Sequence, residues 1–224
     1  MSDRENYKLL IDACAKGNIE LAKSLFENGT RVLDSRALGY ACQNGHIDIV
    51  KWLYYVSNIH TGFAVACSAG HLNIAQWIYS YRTPIDGKCA FLEACINGHL
   101  DVAKWLRSRG FFDKRACLLA CERGHLHIAQ WLYYKTYRLK KPFILACQNG
   151  HINIAQWIYS LHPEYKTNEV FLMVCDRGHL EMAKWMYTDK YCIKHAFRNA
   201  CKLGKSTMDL QFRDCKFRQK ISRI

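Results

Sequence analysis

Between Leu72 and Ile78 the apolar residues Leu72, Ile74, Ala75, Trp77 and Ile78 alternate with the polar Asn73 and Gln76. Their i, i+3, i+4 spacing predicts an amphipathic helix of about ten residues. Upstream of Gly70, Phe63, Ala66 and Cys67 mark one face at the same spacing, which predicts a first helix paired with the second. The glycine between them stands where a helix ends in left-handed backbone, a conformation that carries no Cβ penalty for this residue. Asp48, Asp101 and Glu181 fall in the opening turn of second helices, where the helix dipole favours a carboxylate. Pro142, in KPFILAC, is predicted at the first position of a first helix, the place that tolerates a missing N–H.

This helix, turn, helix pattern recurs along the chain. Its anchoring cysteines are Cys14, Cys42, Cys67, Cys95, Cys121, Cys147, Cys175 and Cys201, in steps of 28, 25, 28, 26, 26, 28 and 26 residues. Eight units follow, near 7–33, 34–59, 60–86, 87–112, 113–138, 139–166, 167–191 and 192–220, and leave no room for a separate catalytic domain. Besides Cys42 and Cys67, the recurring residues are the Gly-His pairs Gly45-His46, Gly70-His71, Gly98-His99, Gly124-His125, Gly150-His151 and Gly178-His179. Six tryptophans recur with them: Trp52, Trp77, Trp105, Trp131, Trp157 and Trp185. The outer units read as caps, because stacked repeats need polar end faces. Asn18 and Ser24 replace His and Trp in the first, and Lys205 and Gln211 replace them in the last. The last unit keeps Met208, Phe212 and Cys215 at i, i+4, i+7, with Ser206 or Thr207 as its helix cap and Asp209 in the first turn. Residues 217–224 read as a frayed basic tail.

These residues resemble the ankyrin repeat, whose pattern runs roughly T-P-L-H-x-A-A-x-x-G-H-x-x-I-V-x-x-L-L. FAVACSAGHLNIAQWI matches it from Phe63, at the first Leu, through Ala66-Cys67 and Gly70-His71 to Ile78. Six units match in full and two in part. The T-P-L-H segment survives only as Pro142, and the 25- to 28-residue steps fall short of the usual ~33, so the connections between helix pairs are shortened. The resemblance implies an all-α, ankyrin-type α-solenoid of about eight stacked units in a single domain over 1–224, with short or absent β-hairpin fingers. It further implies a non-catalytic, monomeric protein-interaction scaffold with no cofactor. The Trp-containing style is similar to the ankyrin arrays of giant DNA viruses and protists, which would place a viral copy in the host cell.

Charge narrows the partner. The net charge is +13, and residues 1–100 hold nine Lys/Arg against nine Asp/Glu, so the whole excess lies in 101–224, with 23 against ten. Such a one-sided field points to an acidic partner, whether protein, nucleic acid or membrane headgroup. Residues 1–12 lack the features of a secretory signal, and no apolar run approaches the ~20 residues that cross a bilayer. The twelve cysteines are then expected as reduced thiols in an intracellular protein, cytoplasmic or nuclear.

Cys and His at i and i+4 in each unit raise the question of zinc. Structural zinc needs four converging ligands, whereas each unit offers two, separated by a helix-ending glycine. The thiol is expected to fill a small apolar slot and the imidazole to bond to backbone at the turn between units. Six equivalent Cys/His pairs also contradict the uniqueness of an active site. Cys89, Cys117, Cys192 and Cys215 lie off the anchor register and form no C-x-x-C pair. The tryptophans are expected between neighbouring units and not as a ladder for stacking bases. GKST at Gly204 to Thr207 lacks the upstream glycine of a phosphate loop, since position 199 is Asn.

One segment breaks the symmetry. In WLYYKTYRLKKPF, Tyr133, Tyr134 and Tyr137 interleave with Lys135, Arg138, Lys140 and Lys141, a combination of aromatic and basic residues suited to a binding hot spot. The expectation is recognition of an acidic protein surface through the basic C-terminal half. Nucleic-acid binding through the same face is the alternative, supported by charge alone. A ubiquitin-ligase adaptor is a third, but the last 25 residues contain no LPxE-like pattern.

Overall fold

The computed structural model describes residues 3–28, 35–54, 59–81, 86–133 and 138–187, in two compact units, Met1–Ala116 and Cys117–Ile224. The first unit pairs α1 (Asp3–Lys16) with α2 (Ile19–Glu27), α3 (Ser35–Gln43) with α4 (Ile47–Leu53), α5 (Ile59–Ser68) with α6 (Leu72–Tyr81) and α7 (Gly87–Ile96) with α8 (Leu100–Ser108). The second continues with α9 (Ala116–Arg123) and α10 (Leu126–Leu132), α11 (Lys140–Gln148) and α12 (Ile152–Leu161), then α13 (Asn168–Arg177) and α14 (Leu180–Met186). A short 3-10 turn, Pro163–Tyr165, follows α12. Among the described residues there is no strand, so the shortened connections carry no β-finger there. The eighth unit, with Cys192, Cys201, the Met208, Phe212 and Cys215 stripe, the Gly204–Thr207 segment and the tail 217–224, lies outside the described residues.

Within each unit the first helices stack side by side, α1 on α3 on α5 on α7 in one and α11 on α13 in the other. Each pair turns on a glycine at positive φ, between +78° and +91°, at positions 17, 45, 70, 98, 124, 150 and 178. The next residue closes the turn by donating its N–H back five residues, as from His46 to the Ala41 carbonyl at 3.0 Å or His151 to Ala146 at 2.9 Å. This is the Schellman closure, which satisfies a carbonyl that the helix end would otherwise leave open.

The core sits between the two helices of each pair. Four residues before each anchoring cysteine stands a large apolar side chain, Leu10, Leu38, Phe63, Phe91, Phe143 or Phe171, none more than 1% exposed. From the second helices come buried triplets such as Ile49, Val50 and Leu53, or Ile154, Ala155 and Ile158. Cys117 occupies the same place in α9, buried with its thiol 3.8 Å from the Ala129 carbonyl. Its distance from the anchor register is thus that of a core residue.

Pro142 lies two residues deeper in α11 than the first position. The helix opens at Lys140, and Phe143 is the residue that donates to the Leu139 carbonyl, at 2.8 Å. The first four N–H groups of a helix have no intrahelical acceptor, so proline at the third position loses no bond either.

The connection after α8 is built around Asp113, the buried charged residue of the described chain at 5% exposure. Arg115 donates to it through Nε at 3.0 Å, Nη2 at 2.9 Å and its backbone N–H at 2.8 Å, while Lys88 Nζ stands 3.7 Å away. The Arg115 hydrogen bonds, side chain first, hold the carboxyl down to about 2. A carboxyl depressed in the folded state contributes stability above its ordinary titration range and loses it as pH falls toward the folded value. Asp113→Asn is therefore expected to cost about 1–2 kcal/mol near neutrality, modest because both cationic partners are largely exposed and screened. The variant should also lose less stability than the parent between about pH 4 and pH 2, as measured by urea unfolding across that range. Parallel pH curves for the two proteins would contradict this.

Candidate functional site

The recurring constellation begins at the last turn of each first helix. Cys14, Cys42, Cys67, Cys95, Cys121, Cys147 and Cys175 are all buried. Burial pushes the thiols of Cys42, Cys67, Cys147 and Cys175 up to about 12 and that of Cys14 to about 11. Cys121 is pushed up by its hydrogen bond with Cys117 and then by burial. A thiol held protonated is a poor nucleophile and a poor ligand. Maleimide labelling of the native protein near pH 8 should accordingly spare these seven and modify the exposed Cys89, as read by peptide mapping. Fast labelling of Cys67 would contradict the packing described.

After the glycine, His46, His99, His125, His151 and His179 hold the N-cap position of the second helix without a side-chain capping bond. The imidazoles of His46, His71, His151 and His179 reach back to the preceding pair. Nε2 lies 3.0 Å from the Ala15 carbonyl for His46 and 3.0 Å from Gln43 for His71. For His151 the acceptor is Glu122 at 2.9 Å, and for His179 it is Gln148 at 2.8 Å. Each of these carbonyls belongs to the residue two before a turn glycine, in a helix end that leaves its carbonyls open. A carbonyl only accepts, so Nε2 carries the proton in all four. The ring then lies over the preceding glycine, where a Cβ on Gly17, Gly45, Gly124 or Gly150 would fall 2.6 to 2.8 Å from ring atoms. Asn18, in place of His, turns onto its own helix, its Oδ1 accepting from the Leu21 N–H at 3.0 Å.

All six tryptophans are half-buried. Five meet an aromatic ring of the preceding pair edge to face: Trp52 with Phe26, Trp77 with Tyr54, Trp105 with Tyr79, Trp157 with Tyr133 and Trp185 with Tyr159. Centroids are 5.3 to 5.6 Å apart at 82° to 89°. Each partner stands two residues past the tryptophan position of its own unit. Edge-to-face pairs contribute about 0.5–1.5 kcal/mol beyond burial, so this ladder ties neighbouring pairs together. Sequence reasoning singled out the tryptophans and passed over their partners, although WLYY and WIYS carry the signal. Lys166 is drawn into the last rung. Its Nζ donates to the Trp185 carbonyl at 2.9 Å and lies 4.9 Å and 5.2 Å from the Trp185 and Tyr159 rings, and desolvation there lowers its pKa.

Among the described residues no three His, Cys, Asp or Glu side chains converge as a metal site would require. The basic segment divides in two. Tyr134, Lys135 and Tyr137 lie outside the described residues. Tyr133 is half-buried on Trp157, so it belongs to the ladder. Arg138, Lys140 and Lys141 are exposed, and no acidic residue shares the first turn of α11 with them. Leu139 between them is buried and anchors the segment.

A further feature emerges once the helices are placed. Three and two residues before each anchoring cysteine, the first helices present their outward face, with Leu92 alone of these positions buried. In the first unit these positions hold Ile11 and Asp12, Gly39 and Tyr40, Ala64 and Val65, Leu92 and Glu93, a mixed set. Gln43, Ala64, Val65, Ser68, Ala69, Glu93 and Asn97 line a groove of about 540 Å³ there. In the second unit the same positions hold Leu118 and Leu119, Ile144 and Leu145, Leu172 and Met173, all aliphatic and all half-buried.

A stack of helix pairs whose recurring polar groups are spent on its own turns defines a repeat scaffold. Models of ankyrin repeats match the chain twice, one described as many copies over residues 10–53 and one as three copies over residues 38–116. Ankyrin repeats thus span residues 10–116 of the chain. The helix pairs of 117–187 repeat the same glycine turn and histidine bond. Ankyrin repeats mark the chain as a protein-protein interaction module, from a family that is generally non-catalytic. No curated protein matches the chain. Among the described residues, no helix is long and apolar enough to cross a membrane.

Proposed function

We propose that the eight units near 7–220 act as one non-catalytic, monomeric, intracellular scaffold that captures an acidic protein through its basic C-terminal half. The observation that carries this reading is the placement of Arg138, Lys140 and Lys141. They are exposed at the start of α11, where the helix presents its positive end and no acidic residue shares its first turn. Cations there oppose the helix dipole by roughly 0.3–1 kcal/mol each, so folding gains nothing from them. An acidic partner would turn that local cost into binding free energy, with affinity and on-rate both helped by the one-sided field. Tyr134, Lys135 and Tyr137 complete the proposed contact, next to a scaffold that holds its own shape and so loses little entropy on binding.

Reversing Lys135, Arg138, Lys140 and Lys141 to Glu is expected to abolish capture of the cellular partner while the circular dichroism spectrum stays helical. The thermal midpoint should hold or rise, because two of the four changes place carboxylates in the first turn of α11. Affinity purification with mass spectrometry reads the first effect. Unchanged capture would remove the basic segment from the reading, and recovery of nucleic acid in place of protein would replace it.

A further inference from the structure

We infer that the outward face of α9, α11 and α13 is a docking site for an amphipathic helix with an acidic flank. Six half-buried aliphatic side chains, Leu118, Leu119, Ile144, Leu145, Leu172 and Met173, fill every outward position three and two residues before the cysteines of these helices. The equivalent positions of α1, α3, α5 and α7 are interrupted by Asp12, Tyr40 and Glu93, so the aliphatic run is not a requirement of the repeat. The inference rests on the binding-scaffold reading above and specifies the partner's form.

Three arguments select a helix. The backbone groups of α9, α11 and α13 are bonded within their own helices, so an extended peptide laid across them would bury N–H and C=O groups without partners. A helix arrives with its backbone bonds made. Second, neighbouring packed helices lie about 8–10 Å apart, and seven residues of a helix rise about 10.5 Å. Apolar anchors at i, i+7 and i+14 would therefore meet the pairs on α9, α11 and α13 in turn. Third, the edge of the face at the N-terminus of α11 carries Arg138, Lys140 and Lys141, offset among the described residues of that edge by Glu169 of α13. The opposite edge is balanced, with Glu122 beside Arg123 and Asp176 beside Arg177. One acidic flank on the incoming helix answers that asymmetry.

The same charges disfavour the two occupants nearest to hand. Residues 188–224 hold ten Lys/Arg against three Asp/Glu, and a second copy would bring the same basic edge against its own kind.

The test uses the full-length protein and a phage-displayed library of fully randomised peptides of about 18 residues, long enough for three anchors at heptad spacing. Enriched sequences are expected to carry apolar residues at i, i+7 and i+14 with Asp or Glu along one flank. By fluorescence anisotropy the best peptide should bind a Leu119→Gln, Leu145→Gln, Met173→Gln variant at least about ten-fold more weakly, with circular dichroism confirming the fold. A second variant, Lys140→Glu with Lys141→Glu, leaves the aliphatic face untouched and should invert the preference from acidic to basic flanks; it decides the matter if the first misfolds. No enrichment, enrichment without the heptad pattern, or equal affinity for parent and variants overturns the inference. Any of these leaves the capture experiment on the cellular partner standing, so the two failures are distinguishable.

Discussion

Replacing Gly45 by alanine is expected to lower the unfolding free energy by about 2–3 kcal/mol, as read from urea midpoints. Two costs add. Gly45 has φ +83°, where an L-residue with a Cβ pays about 1–2 kcal/mol. The new Cβ would also fall 2.6 Å from Cε1 and 2.8 Å from Nδ1 of His71, so the imidazole must move off the Gln43 carbonyl that it now meets at 3.0 Å. That bond has a net contribution of about 1 kcal/mol. In a His71→Ala background the same change should cost only the backbone part, and a double-mutant cycle isolates the difference. Gly39 gives the control. It lies inside α3 with nothing within 4 Å of a Cβ, so alanine there should stabilise by about 0.4–1 kcal/mol through lost freedom of the unfolded chain. The same substitution, six residues apart, is thus expected to change sign. Equal effects at the two sites would show that the glycine turn is not what closes the helix pair.

That contrast also explains what could be read before the fold was known. The helix pairs and their glycine turns were legible because the period repeats: seven described turns share the same positive φ that the pattern called for at Gly45 and Gly70. The start of α11 was misplaced because it depends on the Leu139 carbonyl, which accepts from Phe143 and not from the residue after a first-position proline. Which carbonyl each histidine meets depends on the spacing of neighbouring pairs, and a one-dimensional pattern does not contain that spacing. Tyr133 looked like a free aromatic of a binding loop, yet its ring is set against Trp157 in a rung that four other units repeat. The aliphatic pairs on α9, α11 and α13 escaped for a different reason. Leu118 and Leu119 read as ordinary core until the helix is oriented, and only then does their half-exposure separate them from buried Cys117 and Ala120.

Two residues of α11 should separate folding from recognition. Phe143→Ala is expected to cost about 3–5 kcal/mol, through lost burial of the ring and the cavity it leaves. Phe143 is fully buried, and its ring also meets Tyr165 at 6.1 Å across the next connection. Because α11 packs on both α12 and α13, emptying its core should loosen the link to the following pair as well. In a stack stabilised by nearest neighbours, losing one interface broadens the unfolding transition, so the urea slope should fall along with the midpoint. Leu145 sits two residues on and is half-buried on the outward face. Leu145→Ala removes area that is still partly in water, so about 1 kcal/mol or less is expected with an unchanged slope. Its effect should instead appear in binding, as weaker capture of a helical peptide by a protein of near-parental stability. If Leu145→Ala destabilised the fold as much as Phe143→Ala, the outward aliphatic run would be core and could not serve as a docking face.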